Sequence, residues 1–232
     1  MSSDYPNVEV PKRPRIVVLI SGSGSNLQAL IDAVNEEALN GEIVAVISNK
    51  ASAFGLQRAE QADIKTAVID HAKYESREHF DAALLKEIEK YRPDLVVLAG
   101  FMRILTDDFV RRYTGRMLNI HPSLLPKYPG LNTHQRAIEA GDKEHGVTVH
   151  FVTPELDSGP NIIQAKVPIL PQDTAETLAK RVQEQEHVIY PIAVKWFVEG
   201  RLRMHDDASS ALLDNETIPE QGLILETPHT LH

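Results

Sequence analysis

The chain has 232 residues, enough for one α/β domain with a tail or two small domains, and its 42% hydrophobic content is that of an ordinary globule. The absence of cysteine excludes disulfides, thiolate zinc sites and thiol catalysis, and suits a reducing cytoplasm. A formal net charge of −9 argues against a general nucleic-acid surface, because nothing would offset phosphate repulsion.

Residues 1–14 hold three prolines and no periodicity, so a flexible arm is expected there, with no apolar signal region. Apolar runs then alternate with helical patterns. Strands are predicted at Arg15–Ser21, Glu42–Ser48, Lys65–Asp70, Leu95–Gly100 and Met117–Ile120. Helices are predicted between them at Asn26–Glu37, Gly55–Gln61, Arg77–Tyr91 and Asp107–Arg112, the last closing on the solvated pair Arg111-Arg112. Past Asp94, the run "DLVVLAG" is apolar, as a strand covered on both faces requires. No such run is long enough to cross a bilayer, so no membrane partner is expected.

Strands separated by helices imply right-handed βαβ units and a Rossmann-like, doubly wound, mostly parallel sheet in an α/β fold. "GVTVHFV" and "NIIQAKVPI" read as two further strands that extend the sheet with an antiparallel member, joined by the turn-rich "TPELDSGP". One long helix follows. Asp173 and Glu176 in "DTAE" resemble a cap and its partner, Pro191 should kink the helix, and Gly200 should stop it. Beyond it, "RLRMH" and "SALLD" are expected to pair as a C-terminal hairpin, and "ETPHTLH" to fray. The expected organisation is an arm at 1–14, one main domain at 15–200, and a hairpin with tail at 201–232.

The first candidate site opens where the first strand ends, in "ISGSGSNLQALID". Gly22 and Gly24 permit a tight turn, and free amides at the helix start, around Ser25 and Asn26, would cradle an anion. The dinucleotide fingerprint is incomplete: its third glycine would fall at Leu27, and the second strand ends "SNK" without the acidic residue that holds an NAD ribose. A phosphate monoester fits better than NAD. The competing reading is a plain Gly/Ser turn that binds nothing.

The second candidate lies in "LNIHPSLLPKYPG". Asn119 and His121, two apart on a strand, share a face, at the carboxyl end where open parallel sheets bind ligands. An amide donor beside an imidazolium donor would stabilise an oxygen gaining negative charge. Pro122, Pro126 and Pro129 fix the exit path and hold both donors still. Among these prolines, Leu125–Pro126 is the bond expected to be cis. The alternative is a structural histidine beside a loop.

A carboxylate near His121 would favour its charged form and orient its ring. Asp157, in "ELDSGP", is the candidate, with Glu155 a rival and an ordinary capping aspartate the bland alternative. There is no HExxH pattern, and His145 and His150, five apart on or near a strand, cannot share a face, so no metal site is expected. In the long helix, Leu178, Val182, Ile189, Ile192 and Trp196 form an apolar stripe. Glu186 lies on that stripe, where a carboxylate is costly unless it meets a cationic or hydroxyl-bearing partner or reaches water at the edge.

Taken together, "NIHPSLLPKYPG", "ELDSGP", "VLISGSGSNL", "SNKASAFGLQRA", "VVLAGFMRIL" and "QEHVIYP" resemble the phosphoribosylglycinamide formyltransferases of purine biosynthesis over about residues 15 to 205. The resemblance implies transfer of a formyl group from 10-formyltetrahydrofolate, as cosubstrate, to the glycinamide amine, with no metal. It implies Asn119, His121 and Asp157 as the catalytic set. It also implies Gly24, Ser25 and Asn26 at the substrate phosphate, Glu186 at its ribose hydroxyls, and Arg77, Met102, Arg103, Ile104, Leu105 and Asn119 against the folate. The expected partners are small molecules, with the chain a monomer or homodimer.

Three rival readings make different demands on the chain. A methionyl-tRNA formyltransferase should carry a further basic tRNA-binding domain, and a formyltetrahydrofolate hydrolase an N-terminal regulatory domain. A non-catalytic nucleotide-binding module would need the glycine loop but not Asn119, His121 and Asp157 together.

Overall fold

The computed structural model describes residues 12–225; residues 1–11 of the expected arm and the expected frayed end at 226–232 lie outside the described residues. An eight-stranded sheet runs in the order β11-β7-β6-β5-β4-β1-β2-β3. Its parallel part comprises β1 (Arg15–Ile20), β2 (Glu42–Ser48), β3 (Thr66–Val68), β4 (Leu95–Leu98) and β5 (Met117–His121). The strand order reverses between β1 and β4, which opens a crevice at their carboxyl ends. β6 (Glu144–Phe151) runs antiparallel to both β5 and β7 (Asn161–Pro168).

The pleat of each buried strand feeds two cores. Ile16, Val18, Val97, Leu118 and Ile120 point to the face covered by α1 (Ser25–Asn35), α2 (Gly55–Gln61) and α6 (Ala175–Val198). Val17, Leu19, Val96, Leu98 and Met117 point to the face covered by α3 (Arg77–Glu89) and α4 (Asp107–Arg112). Asn119 and His121 alternate with Leu118 and Ile120, so they lie on the same face of the sheet as Met117. A short helix missed from sequence, α5 (Thr133–Glu139), follows the proline-rich turn.

Several boundaries differ from expectation. The cap of α6 is Thr174, in a capping box with Thr177, while Asp173 is committed to a bidentate pair with Arg181. The helix holds Pro191 within it and ends at Val198, with the expected stop Gly200 just beyond at φ 74°. β8 (Leu202–Met204) and β9 (Ala211–Leu213) form the expected antiparallel hairpin, to which β10 (Glu216–Thr217) adds a third strand. Leu202, Ala211 and Ile218 pack into the α1/α6 core. The chain then returns as β11 (Leu223–Leu225) to pair parallel with β7.

Candidate active site

The loops after β1, β4 and β5 meet at the crevice. After β1, Gly24 adopts φ 72° as the N-cap of α1, a conformation that suits glycine. A Cβ there would stand 2.6 Å from the Gly55 Cα, so α2 buttresses the loop by close backbone approach. Gly55 N–H donates to the Gly22 carbonyl, and Arg58 Nε donates to that of Ser23. No side chain caps α1, so the first-turn amides have no acceptor within the helix.

Ser25 and Asn26 face α6. Gln183 donates to Ser25 Oγ at 3.0 Å, and Asn26 Nδ2 donates to Glu186 Oε2 at 3.2 Å. The side-chain oxygen Oδ1 of Asn26 is buried without a partner among the described residues. Burial pushes the Glu186 carboxyl above its ordinary range, and the Asn26 amide pulls it part of the way back. One turn further along α6, the Tyr190 hydroxyl reaches the carbonyls of Leu98 and Leu118, fixing the helix against the ends of β4 and β5.

After β4, the 99–106 segment is pinned from two sides: Met102 N–H donates to Ser21 Oγ, and Thr106 N–H to buried Asp81. Met102 and Ile104 stand exposed, and Arg103 stacks 5.4 Å from the Phe80 ring centroid. Arg77 is exposed in the first turn of α3. The Leu105 side chain is buried in the core with Phe109 and Val110. Its contribution is to anchor the loop.

After β5, the turn is held by side chains from the antiparallel strands. Thr148 accepts from Leu125 N–H and donates to the Ser123 carbonyl, while Gln164 donates to the Leu125 carbonyl. The Leu125–Pro126 bond is cis, as expected. The 152–160 loop folds over the face carrying Asn119 and His121, and Asp157 Oδ2 comes to 3.6 Å from His121 Nδ1. Both side chains are nearly buried. Asp157, at φ 51°, also accepts from Gly130 N–H at 2.8 Å. The rival Glu155 is exposed; with Leu156 and Asp157 it borders a cavity of about 880 Å³ next to β9 and β10.

One detail modifies the expected pair of oxyanion donors. His121 Nε2 lies 2.8 Å from the Tyr128 carbonyl, so that nitrogen carries a hydrogen and donates it within the protein. Nδ1 donates toward Asp157 only when the ring is charged. Nε2 is therefore already committed within the protein, and the Asn119 amide, half-buried, is the less committed donor.

Two contributors were missed from sequence. Tyr128 holds His121 through its carbonyl, and its hydroxyl donates to Asp142, which also pairs with Lys127. His150 lies directly across from Asn119, 3.4 Å from the amide nitrogen. The alternation in "GVTVHFV" marks His150 as a strand residue, but its register against Asn119 is set by long-range pairing. His145 is elsewhere on β6, with its ring 5.0 Å from that of His134. Among the described residues, no three potential metal ligands cluster, and no helix is long and apolar enough to cross a membrane.

The chain matches the Formyl transferase family over residues 14–194. It is 58% identical over 207 residues to the phosphoribosylglycinamide formyltransferase of Escherichia coli (strain K12), a match covering 89% of this chain and 97% of that protein. It is 51% identical over 201 residues to the trifunctional purine biosynthetic protein adenosine-3 of Drosophila melanogaster, which it matches over 15% of that protein's length. The solved phosphoribosylglycinamide formyltransferase of Coxiella burnetii in complex with CHES superposes with a TM-score of 0.87 at 54% identity, covering 93% of this chain and all of that one. With a family match over most of its length and relatives at this identity, the chain belongs to the formyl transferase family.

Proposed function

We propose that the chain transfers the formyl group of 10-formyltetrahydrofolate to the amine of phosphoribosylglycinamide, a step of purine biosynthesis. The observation that carries this reading is the meeting of Asp157 with His121 on the strand face that also bears Asn119, in the crevice that receives the open N-terminus of α1.

The substrate phosphate sits at Gly24, Ser25 and Asn26, where unpaired amides and the positive end of the helix favour an anion. Glu186 takes the ribose hydroxyls, and those donors stabilise its buried carboxylate. The folate lies along Met102 and Ile104, with Arg77 and Arg103 near its negative end. The amine then attacks the formyl carbon, and the carbonyl oxygen becomes an oxyanion. Asn119 donates to that oxygen. His121 joins it by exchanging the Tyr128 carbonyl for the oxyanion as charge develops. Asp157 stabilises the imidazolium, and the proton lost by the amine is returned through this pair to the departing folate nitrogen. The cysteine-free composition supports a cytoplasmic setting.

A folate absorbance assay with and without phosphoribosylglycinamide tests the reading. Deformylated folate should form with the ribonucleotide and stay near background without it. Equal rates in both would make the chain a hydrolase of the donor, and no product in either would sink the proposal.

A further inference from the structure

Asn119 ends in an oxygen and an NH2 group of nearly the same shape. Only the NH2 group can stabilise a developing oxyanion; the oxygen would repel it. Packing alone does not choose between the two orientations, so a polar neighbour must. That neighbour is His150, paired opposite Asn119 across β5 and β6.

His150 is buried, and its Nδ1 lies 2.9 Å from the Phe151 carbonyl oxygen. A carbonyl oxygen accepts and never donates, so Nδ1 must carry a hydrogen. Burial resists a second proton on the ring and holds it below the ordinary histidine range; the His121 charge acts in the same direction, against the Phe151 carbonyl and Asp157. A neutral ring with its hydrogen on Nδ1 presents a bare lone pair at Nε2. The Asn119 terminus 3.4 Å away must then be the NH2 end, because an amide oxygen facing that lone pair would be repelled.

We infer that His150 is a positioning residue for formyl transfer: its bare Nε2 accepts one amide hydrogen of Asn119 and so leaves the other for the formyl oxygen. The inference rests on the formyl-transfer reading above. It also accounts for the neighbouring strand, since the amide on β5 acquires a defined polarity only from β6. A phenylalanine at position 150 would fill the space without accepting a hydrogen.

The test is a double-variant cycle on the full chain with His150→Phe, Asn119→Ala and both together. His150→Phe should lower kcat about fivefold to tenfold, the weight of one neutral hydrogen bond, and change either KM less than about twofold. In the Asn119→Ala background the same replacement should change kcat less than about twofold, because no amide remains to be oriented. An equal fall in both backgrounds would mean that His150 merely supports the strand, and would overturn the inference. An unchanged kcat in the single variant would do the same. A second measurement requires no variant to fold. Ring nitrogen NMR of His150 in the wild-type chain at neutral pH should show Nδ1 protonated and Nε2 bare; a hydrogen on Nε2 would overturn the inference. Wild-type turnover separates the two levels: with transfer intact and an additive cycle, the positioning role alone fails, whereas absence of transfer removes both.

Discussion

Asp157→Asn changes charge with little change in shape. Asp157 sits at φ 51°, a left-handed conformation that asparagine tolerates well, and its bond from Gly130 N–H needs just an acceptor oxygen, which the amide retains. The loop should therefore stay in place. What disappears is a carboxylate 3.6 Å from His121 Nδ1, with both side chains nearly buried. At an effective dielectric constant of about 20, two unit charges at that separation attract by roughly 5 kcal/mol gross. This attraction acts fully when the imidazolium forms, so its loss falls on the transition state more than on the bound substrates. The expected result is a kcat lowered on the order of a hundredfold to a thousandfold, with both KM values within about threefold. Steady-state kinetics, with circular dichroism and a urea titration to confirm folding, would check it. A folded variant with kcat within about threefold of wild type would refute the reasoning. Asp157 would then be a loop anchor for Gly130, and Glu155 the next carboxylate to replace.

Gly24→Ala forces a Cβ onto the Gly55 backbone at φ 72°; it should cost about 1–3 kcal/mol in urea unfolding and weaken ribonucleotide binding by calorimetry. Unchanged values for both would show that the loop has room to shift. Tyr128→Phe removes the hydroxyl bond to Asp142 and should lower stability by about 1 kcal/mol and kcat severalfold, because the same turn supplies the contacts to His121 and Asp157. A stability loss with unaltered kcat would mean that other bonds hold the turn. His145, buried and flanked by His134, is pushed down to about 4, chiefly by burial and next by the His134 charge. The unfolded chain thus binds the extra proton more readily between about pH 6.5 and 4. The contribution of His145, up to about 3 kcal/mol, is complete above that window and is lost as pH falls through it. Urea midpoints at pH 7.5 and 4.5 should converge in His145→Gln, and an identical acid loss in both proteins would contradict the assignment.

The parallel half of the fold is legible because its signals are local. "IVVLI" and "LVVLAG" are apolar throughout, and the helices between them carry their own periodicity. Asn119 and His121 were legible for a similar reason: period-two spacing at a strand end is visible in five residues. Asp157 could be nominated from the turn-rich loop, although its approach to His121 depends on how residues 152–160 fold back. His150 could not be assigned its role, because that depends on a register across 31 positions. Asp173 misled as a cap since the same residue type serves equally well as a partner for Arg181. Leu105 was nominated with the whole segment from Met102 onward; that its side chain turns inward while those of Met102 and Ile104 stay exposed is a matter of loop geometry that the motif does not reveal. α5 and β11 are too short, at seven and three residues, to stand out from their surroundings.

The Asn119 strand end is expected to perform formyl transfer to an amine. A single-turnover experiment with carbon-13 in the formyl group of the folate, followed by NMR in wild type and Asn119→Ala, tests it most directly. The label should pass from the folate to a formamide carbon on the ribonucleotide, on the order of a hundredfold more slowly in the variant. Label released as formate, or transferred at the wild-type rate by Asn119→Ala, would contradict the claim.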